Sequence, residues 1–312
     1  MYKIFKQEKM NKINKNLMFT KVKLFKSFLS VLTLFVISSC STDEKQTVIT
    51  KTKLVMSEEF NTNGAPNPLI WAFDIGKGPL NDGWGNSELQ FYTNRTNNVI
   101  VQDGYLIITA VKEDYQGSTY TSARLKTRNL FEQKYGRFEA RIKMPYGKGM
   151  FPAFWMLGSN FCEAQALDAN NNVICDSSKP NYETGNVLWP QSGEIDIMEY
   201  IGSKPTQVFG TVHGPGYSGG GGISKKYTLP NDRFDNDFHI FGIEWGENYI
   251  NWYVDDVLYN QITPKDVKGE WVFNQPFYML LNLAVGGNLP GSPNSETVFP
   301  QTMSVDYVRV YQ

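Results

Sequence analysis

Beyond residue 54, hydrophobic and polar positions alternate with a period of two rather than 3.6. In residues 137–143 (RFEARIK), Phe138, Ala140 and Ile142 alternate with charged residues, as on a half-buried strand. Short apolar runs bounded by polar residues recur along this part of the chain, at 105–111, 240–245, 249–254 and 305–311. No twelve-residue stretch has the spacing of an amphipathic helix, and no internal repeat or linker is visible. The pattern predicts one all-β domain, most simply two sheets packed face to face.

The first forty residues have a different pattern. Lysines are spread through residues 3–26, and an apolar run at 28–37 follows them. That run is too short for a bilayer, which needs about twenty residues, and a basic segment before a short apolar core is typical of a secretory signal. We therefore interpret residues 1–39 as a signal peptide, 40–53 as a polar tether and 54–312 as the folded domain.

The residues at the end of the signal indicate a lipid anchor. Ile37, Ser38, Ser39 and Cys40 resemble a bacterial lipobox, in which the cysteine becomes the lipid-modified first residue. The alternative is a buried free thiol after an ordinary signal. We expect an exported protein that is lipid-anchored to a bacterial outer membrane, on its periplasmic or cell-surface side, with no other membrane contact.

The two remaining cysteines, Cys162 and Cys175, lie in a polar stretch. Disulfides form in exported proteins, and one closing this loop would stabilise the fold by about 3 kcal/mol in the chain-entropy model. Two unpaired thiols are the alternative. A metal site is not expected here, because the only two histidines are distant in sequence.

Composition and charge exclude two classes of protein. The chain has 312 residues, of which 41% are hydrophobic and 14% aromatic, so it is not mainly disordered. Its net charge is −1, but residues 1–39 contain eight lysines and one glutamate and carry +7, which leaves −8 on the rest. A domain this acidic is not expected to bind nucleic acid.

Three acidic residues form the most informative cluster. Glu194 and Asp196 are two positions apart, so on a strand they share one face. Glu199 would fall on the opposite face unless one extra residue, a β-bulge near Met198, restores it. Three carboxylates on one face repel one another, so at least one should hold a proton near neutral pH. Taken alone, the segment is also compatible with an exposed acidic strand or with calcium ligands.

Aromatic residues are dense around the acidic cluster. Trp84, Trp155 and Trp189 offer flat indole faces that suit the C–H faces of sugar rings, although a tryptophan taken alone is more often part of a hydrophobic core than of a binding site. Polar neighbours such as Asn86 would suit sugar hydroxyl groups.

Residues 193–199 (GEIDIME) resemble the active-site signature of glycoside hydrolase family 16, in the variant with the extra bulge residue. The likeness spans residues 53–312 and is closest to the bacterial laminarinases, which are endo-acting β-1,3-glucanases. Further matching stretches follow in order, at 83–93, 122–127, 135–141, 210–216, 281–287 and 305–311.

The resemblance implies a fold and a chemistry. The fold would be a jelly-roll β-sandwich of two antiparallel sheets with a concave substrate cleft. Glu194 matches the nucleophile, Glu199 the general acid/base and Asp196 the carboxyl group that tunes the nucleophile. The implied reaction is retaining hydrolysis of laminarin-type β-1,3-glucan by double displacement, without a cofactor.

Other site residues follow from strand order or from the resemblance. If residues 194–200 and 207–213 form a hairpin, His213 returns opposite the Glu194–Asp196 end, where it could donate to Asp196. The resemblance also implies sugar contacts and a structural calcium ion, for which a solvated acid pair without metal is the alternative. The implied sugar contacts are Arg124 and Glu88, and the implied calcium ligands are Glu59, the carbonyl of Gly104, and Asp306.

Several readings remain open at this point. Residues 160–187 look like an insertion that either rims the cleft or decorates the surface. The rival activities are hydrolysis of mixed-linkage β-1,3/1,4-glucan, hydrolysis of galactans such as agarose or carrageenan, and non-catalytic glucan binding by a surface lipoprotein. A calcium-dependent adhesion sandwich would explain the strands but not the Trp and Glu series. We expect a monomer whose partner is a polysaccharide.

Overall fold

Strands account for nearly all of the regular structure in residues 50–162 and 187–312, which are the residues that the computed structural model describes. The proposed signal peptide, Cys40, most of the tether, Cys175 and most of the insertion lie outside these residues. No helix within the described ranges is long and apolar enough to span a membrane. The strands are β1 (Leu54–Glu58), β2 (Ala72–Asp74), β3 (Gln90–Tyr92), β4 (Val99–Gln102), β5 (Tyr105–Tyr115), β6 (Ser118–Ser122), β7 (Arg124–Lys126), β8 (Glu132–Gln133), β9 (Gly136–Lys143), β10 (Met150–Gly158), β11 (Glu194–Tyr200), β12 (Gln207–His213), β13 (Ile223–Thr228), β14 (His239–Gly246), β15 (Tyr249–Val254), β16 (Val257–Ile262), β17 (Phe277–Val285) and β18 (Gln301–Tyr311).

The strands form two sheets. The eight-stranded sheet has the order β13-β12-β11-β10-β17-β7-β2, with β8 also paired to β17. The ten-stranded sheet has the order β16-β15-β14-β9-β18-β5-β6-β3, with β1 on β18 and β4 on β5. Neighbouring strands are antiparallel apart from the parallel pair β3 and β6. The predicted all-β, two-sheet architecture is confirmed, and the apolar runs at 105–111, 240–245, 249–254 and 305–311 each lie in a strand.

One large hydrophobic cluster joins the two sheets. Phe138, Ala140 and Ile142 of β9 are fully buried in it, as their alternation with charged residues predicted. The strand is not half-exposed as expected, however, because Arg137 and Glu139 on its other face are also buried and form an ion pair. β17 is buried along its whole length, because one face contributes to this cluster and the other lies beneath the residues of the site.

The acidic strand β11 has its apolar side in the same cluster, through Ile195, Ile197 and Met198. A tryptophan of the opposite sheet also reaches it, since the indole N–H of Trp252 donates to the backbone oxygen of Asp196 at 2.8 Å. The acidic side of β11 therefore faces away from the core, on the outer face of the eight-stranded sheet.

Candidate active site

The acidic strand contains the predicted β-bulge. Two consecutive residues of β10, Phe154 and Trp155, lie opposite Met198 and Asp196, so Ile197 has no partner on β10. The pairing with β12 shifts at the same place, between residues 196 and 199. One extra residue is thus accommodated in β11, and the chain kinks there.

The bulge brings three carboxyl groups to one face of the sheet. Glu194, Asp196 and Glu199 lie opposite alternate residues of β10, namely Leu157, Trp155 and Ala153. Alternate residues of a strand share a face, so the three acids do as well. A strand without the bulge would have turned the third acid into the core.

Burial raises the pKa of each of the three carboxyl groups. The pKa of Glu194 rises to about 8, because burial and the neighbouring charges of Asp196 and Glu199 outweigh His213 and a hydrogen bond from Trp189. Burial, then Glu199, raises the pKa of Asp196 well above its usual range, against a hydrogen bond with Glu194. Burial also raises the pKa of Glu199. This agrees with the expectation that at least one carboxyl keeps a proton near neutral pH.

His213 lies where the hairpin prediction put it, directly opposite Glu194 across β11 and β12. Its Nε2 is 3.4 Å from Oδ2 of Asp196 and 3.7 Å from Oε1 of Glu194. The half-exposed ring of Trp189 lies 5.9 Å from the imidazole. Ligand atoms of Glu194, Asp196 and His213 lie within 4.8 Å of one another, so this trio could hold a cation. A cation there would occupy the oxygens that the acids need for sugar chemistry.

A buried arginine extends the site along the same sheet face. The guanidinium of Arg124 lies between two indole rings, with its carbon 4.5 Å from the centre of Trp84 and 4.8 Å from that of Trp155. Asp74, opposite Arg124 on the neighbouring strand, holds it by an ion pair of 2.9 Å and also pairs with Lys126. The structure thus brings three of the predicted sugar-binding residues together, and it adds an acid that the sequence reasoning missed.

Glu88 is held by side-chain hydrogen bonds. Gln90 donates to its Oε2 at 2.7 Å and Asn86 to its Oε1 at 3.2 Å. The hydroxyl of Tyr92 also donates to Glu88, at 3.2 Å. Burial raises the pKa of Glu88. Its carboxyl group therefore lies inside a hydrogen-bond network, and its oxygens already accept several hydrogen bonds from the protein.

The same network reaches the indole beside the acids. The N–H of Trp155 donates to Oδ1 of Asn282 at 2.7 Å, and Nδ2 of Asn282 donates to the hydroxyl of Tyr92 at 3.2 Å. Glu88 is connected in this way to Trp155, which lies opposite Asp196. Sequence reasoning missed Tyr92 and Asn282 as site residues, and the only signal of Asn282 is a polar group inside an otherwise apolar run.

Thr211 is a further residue beside the acids that the sequence analysis missed. It lies opposite Asp196 on β12, and its hydroxyl is 2.8 Å from Oε2 of Glu199. The residue is 4% exposed. A threonine in a short strand carries no distinctive sequence signal.

The predicted calcium ligands are engaged with arginines. Both oxygens of Glu59 accept from Arg309, at 2.8 and 2.9 Å, and Asp306 accepts from Arg141 at 2.6 Å. Calcium needs several uncommitted oxygens, so these two carboxylates do not fit as they are placed. Within the described residues, Oε2 of the adjacent Glu58 is buried without a hydrogen-bond partner.

The ends of the insertion meet beside β10. Phe161 and Val187 form a bridge, and the amide of Cys162 donates to the Val187 oxygen at 2.9 Å. Cys162 is in a disulfide. The predicted partner, Cys175, lies outside the described residues.

Comparison with known proteins agrees with this geometry. The model of glycosyl hydrolases family 16 matches residues 86–170 and 181–309. A β-glucanase of Rhodothermus marinus is 40% identical over 269 residues, covering 83% of this chain and 85% of that protein.

Two solved structures have the same architecture. The laminarinase catalytic domain of Thermotoga maritima superposes with a TM-score of 0.73 at 44% identity, over 84% of this chain and 99% of its own. The endo-β-1,3-glucanase of Pyrococcus furiosus gives 0.72 at 45% identity, over 83% and 94%. These similarities confirm the jelly-roll expectation. The chain belongs to glycosyl hydrolases family 16.

Proposed function

We propose that this glycoside hydrolase is an endo-β-1,3-glucanase that cleaves laminarin-type chains with retention of configuration. The observation that carries the proposal is the bulge in β11, which turns Glu194, Asp196 and Glu199 to one face beside a wall of indole rings. Carboxyl groups on one face supply the acid and the nucleophile of glycoside cleavage. Flat aromatic rings supply the surface on which sugars stack.

In the first step, a carboxylate oxygen of Glu194 attacks the anomeric carbon. The glycosidic C–O bond breaks, and the proton of Glu199 passes to the leaving oxygen. In the second step, a water molecule gives a proton to Glu199, and the oxygen of that water attacks the same anomeric carbon. The bond to Glu194 breaks, and the sugar leaves with its original configuration.

Asp196 controls the charge of the nucleophile. Because its pKa is raised well above the usual range, Asp196 keeps a proton that it can donate to Glu194. Once Glu194 has lost its own proton, the two groups carry one negative charge between them, and the hydrogen bond stabilises that charge on Glu194. His213 adds a second polar contact to the same pair.

The charges beside the acids favour a neutral glucan over a sulfated galactan. Arg124 and Lys126 lie on this sheet face near Trp155, and Asp74 pairs with both of them. A sulfate-binding cleft would be expected to present cations to the sugar rather than to a protein carboxylate. The sequence similarity to a β-glucanase also supports a neutral glucan as the substrate.

The experiment is a comparison of four polysaccharides (laminarin, lichenan, agarose and carrageenan) with wild type and Glu194→Ala. From laminarin, we expect wild type to release oligosaccharides whose new reducing ends are first observed in the β-configuration by proton NMR. We expect Glu194→Ala to fold and to bind glucan like wild type but to show no turnover. Faster cleavage of lichenan, agarose or carrageenan would reject the substrate, and turnover by Glu194→Ala would reject the nucleophile.

We also propose that Cys40 carries a lipid that holds the enzyme at a bacterial outer membrane, since the lipobox resemblance and the short apolar signal core support this location. Cys40→Ala should release the protein from membranes in fractionated cells, whereas Ser41→Ala serves as the matched control and should stay bound. Membrane fractionation of Cys40→Ala like wild type would dismiss the anchor.

A further inference from the structure

Thr211 is placed by the backbone ladders to touch the catalytic acid. It lies opposite Asp196 on one side and opposite Ser224 on the other. Its Oγ1 is 2.8 Å from Oε2 of Glu199 and 2.9 Å from the hydroxyl of Ser224. Because a β-branched side chain has restricted rotamers in a strand, this hydroxyl is held in place.

A hydroxyl group has one proton to donate. When Thr211 gives it to Oε2 of Glu199, that oxygen acts as an acceptor, and the acidic proton of Glu199 is left to Oε1. The oxygen of Thr211 can at the same time accept a hydrogen bond from Ser224. Ser224 is exposed, so water can take its place as that donor.

The position of the acidic proton matters for the first chemical step. Only a proton on the oxygen that faces the glycosidic bond can pass to the leaving group. A proton on the other oxygen would need a rotation of the carboxyl group before the bond could break. General acid catalysis of this kind contributes about 10²–10⁴-fold to a rate.

We propose that Thr211 is a positioning residue whose hydroxyl binds Oε2 of Glu199 and thereby leaves the acidic proton on Oε1. This inference rests on the proposed role of Glu199 as general acid. It predicts a defect that depends on how much the leaving group needs a proton.

The test compares Thr211→Val, which keeps the shape and removes the hydroxyl, with Thr211→Ser, which keeps the hydroxyl. The substrates are laminarin, whose sugar leaving group needs protonation, and a 2,4-dinitrophenyl β-laminaribioside, whose leaving group does not. The measured quantity is kcat/KM, which reports the steps up to the first bond cleavage. Thr228→Val, an exposed position on β13, controls for the loss of a hydroxyl in this sheet.

We expect Thr211→Val to lose about 10–100-fold on laminarin and less than about threefold on the dinitrophenyl substrate. Thr211→Ser and Thr228→Val should resemble wild type on both. Equal losses on the two substrates, or no loss on laminarin, would overturn the proposal. Failure of the proposed substrate is a separate result, because wild type itself would then not cleave laminarin. The polysaccharide that wild type does cleave would take its place in the comparison.

Discussion

The three buried acids should make the active site a source of instability at neutral pH, and Glu194→Gln tests this directly. The pKa of Glu194 is raised from 4.5 to about 8. Between those values the folded protein holds a proton that the unfolded chain has released. Since stability falls with rising pH wherever the folded state binds more protons, the contribution of Glu194 is lost from about pH 4.5 up to about pH 8.

The magnitude follows from the size of the shift. One pKa unit corresponds to about 1.36 kcal/mol, so a rise from 4.5 to about 8 costs about 5 kcal/mol of folding free energy above pH 8. Linkage gives about 3 kcal/mol at pH 7 and under about 1 kcal/mol at pH 5. Glutamine is neutral at every pH and removes this cost. A domain of this size gains about 2–4 °C in Tm per kcal/mol.

The assay is thermal and denaturant unfolding of wild type and Glu194→Gln at pH 5, 6, 7 and 8. We expect the two proteins to be close at pH 5 and the variant to be increasingly more stable toward pH 8. Glu113→Gln is the control, because this substitution should lower the stability at neutral pH instead of raising it. Hydrogen bonds from Arg95 and Thr121 lower the pKa of Glu113, so its charge is stabilising above the unfolded pKa. A Glu194→Gln protein with wild-type pH dependence, or with lower stability at pH 8, would refute the reasoning.

Two further predictions concern the surroundings of the acids. Asp74→Asn weakens the ion pair of the buried arginine, so steady-state kinetics should show KM for laminarin raised several-fold with kcat nearly unchanged; a selective fall in kcat would contradict this. Deleting Met198 removes the extra residue and leaves Glu199 an even number of positions after Glu194, so a regular strand keeps all three acids on one face and the folded protein should retain measurable hydrolysis; a folded deletion protein without activity would show that a shared face alone does not make the site.

The strands and the acidic face could be predicted because both follow from local alternation. Unpaired charges avoid a hydrophobic core, so a period of two indicates which side of β9 and of β11 faces that core. The bulge was predictable for the same reason, since strict alternation would have buried Glu199 among apolar residues. His213 followed from the shortness of the connection between two adjacent strands.

The supporting residues could not be predicted, because they depend on the register between strands that are distant in sequence. Asn282 and Tyr92 are 190 residues apart, and Asp74 meets Lys126 across 52. No local pattern specifies which residue of β17 lies beside which residue of β7. The pairing of Glu59 with Arg309 was missed for the same reason.

The kink that makes the site is held from the opposite sheet. A bulge disturbs the hydrogen-bond ladder where the extra residue enters, and a buried carbonyl without a partner is costly. The indole of Trp252 donates to the carbonyl of Asp196 at the start of the bulge. Its close approach requires a glycine at residue 210 of β12, where a Cβ would lie 2.4 Å from the Trp252 ring and 2.5 Å from the Tyr259 hydroxyl. The packing of the core thus stabilises the backbone shape that lets three mutually repelling acids share one face.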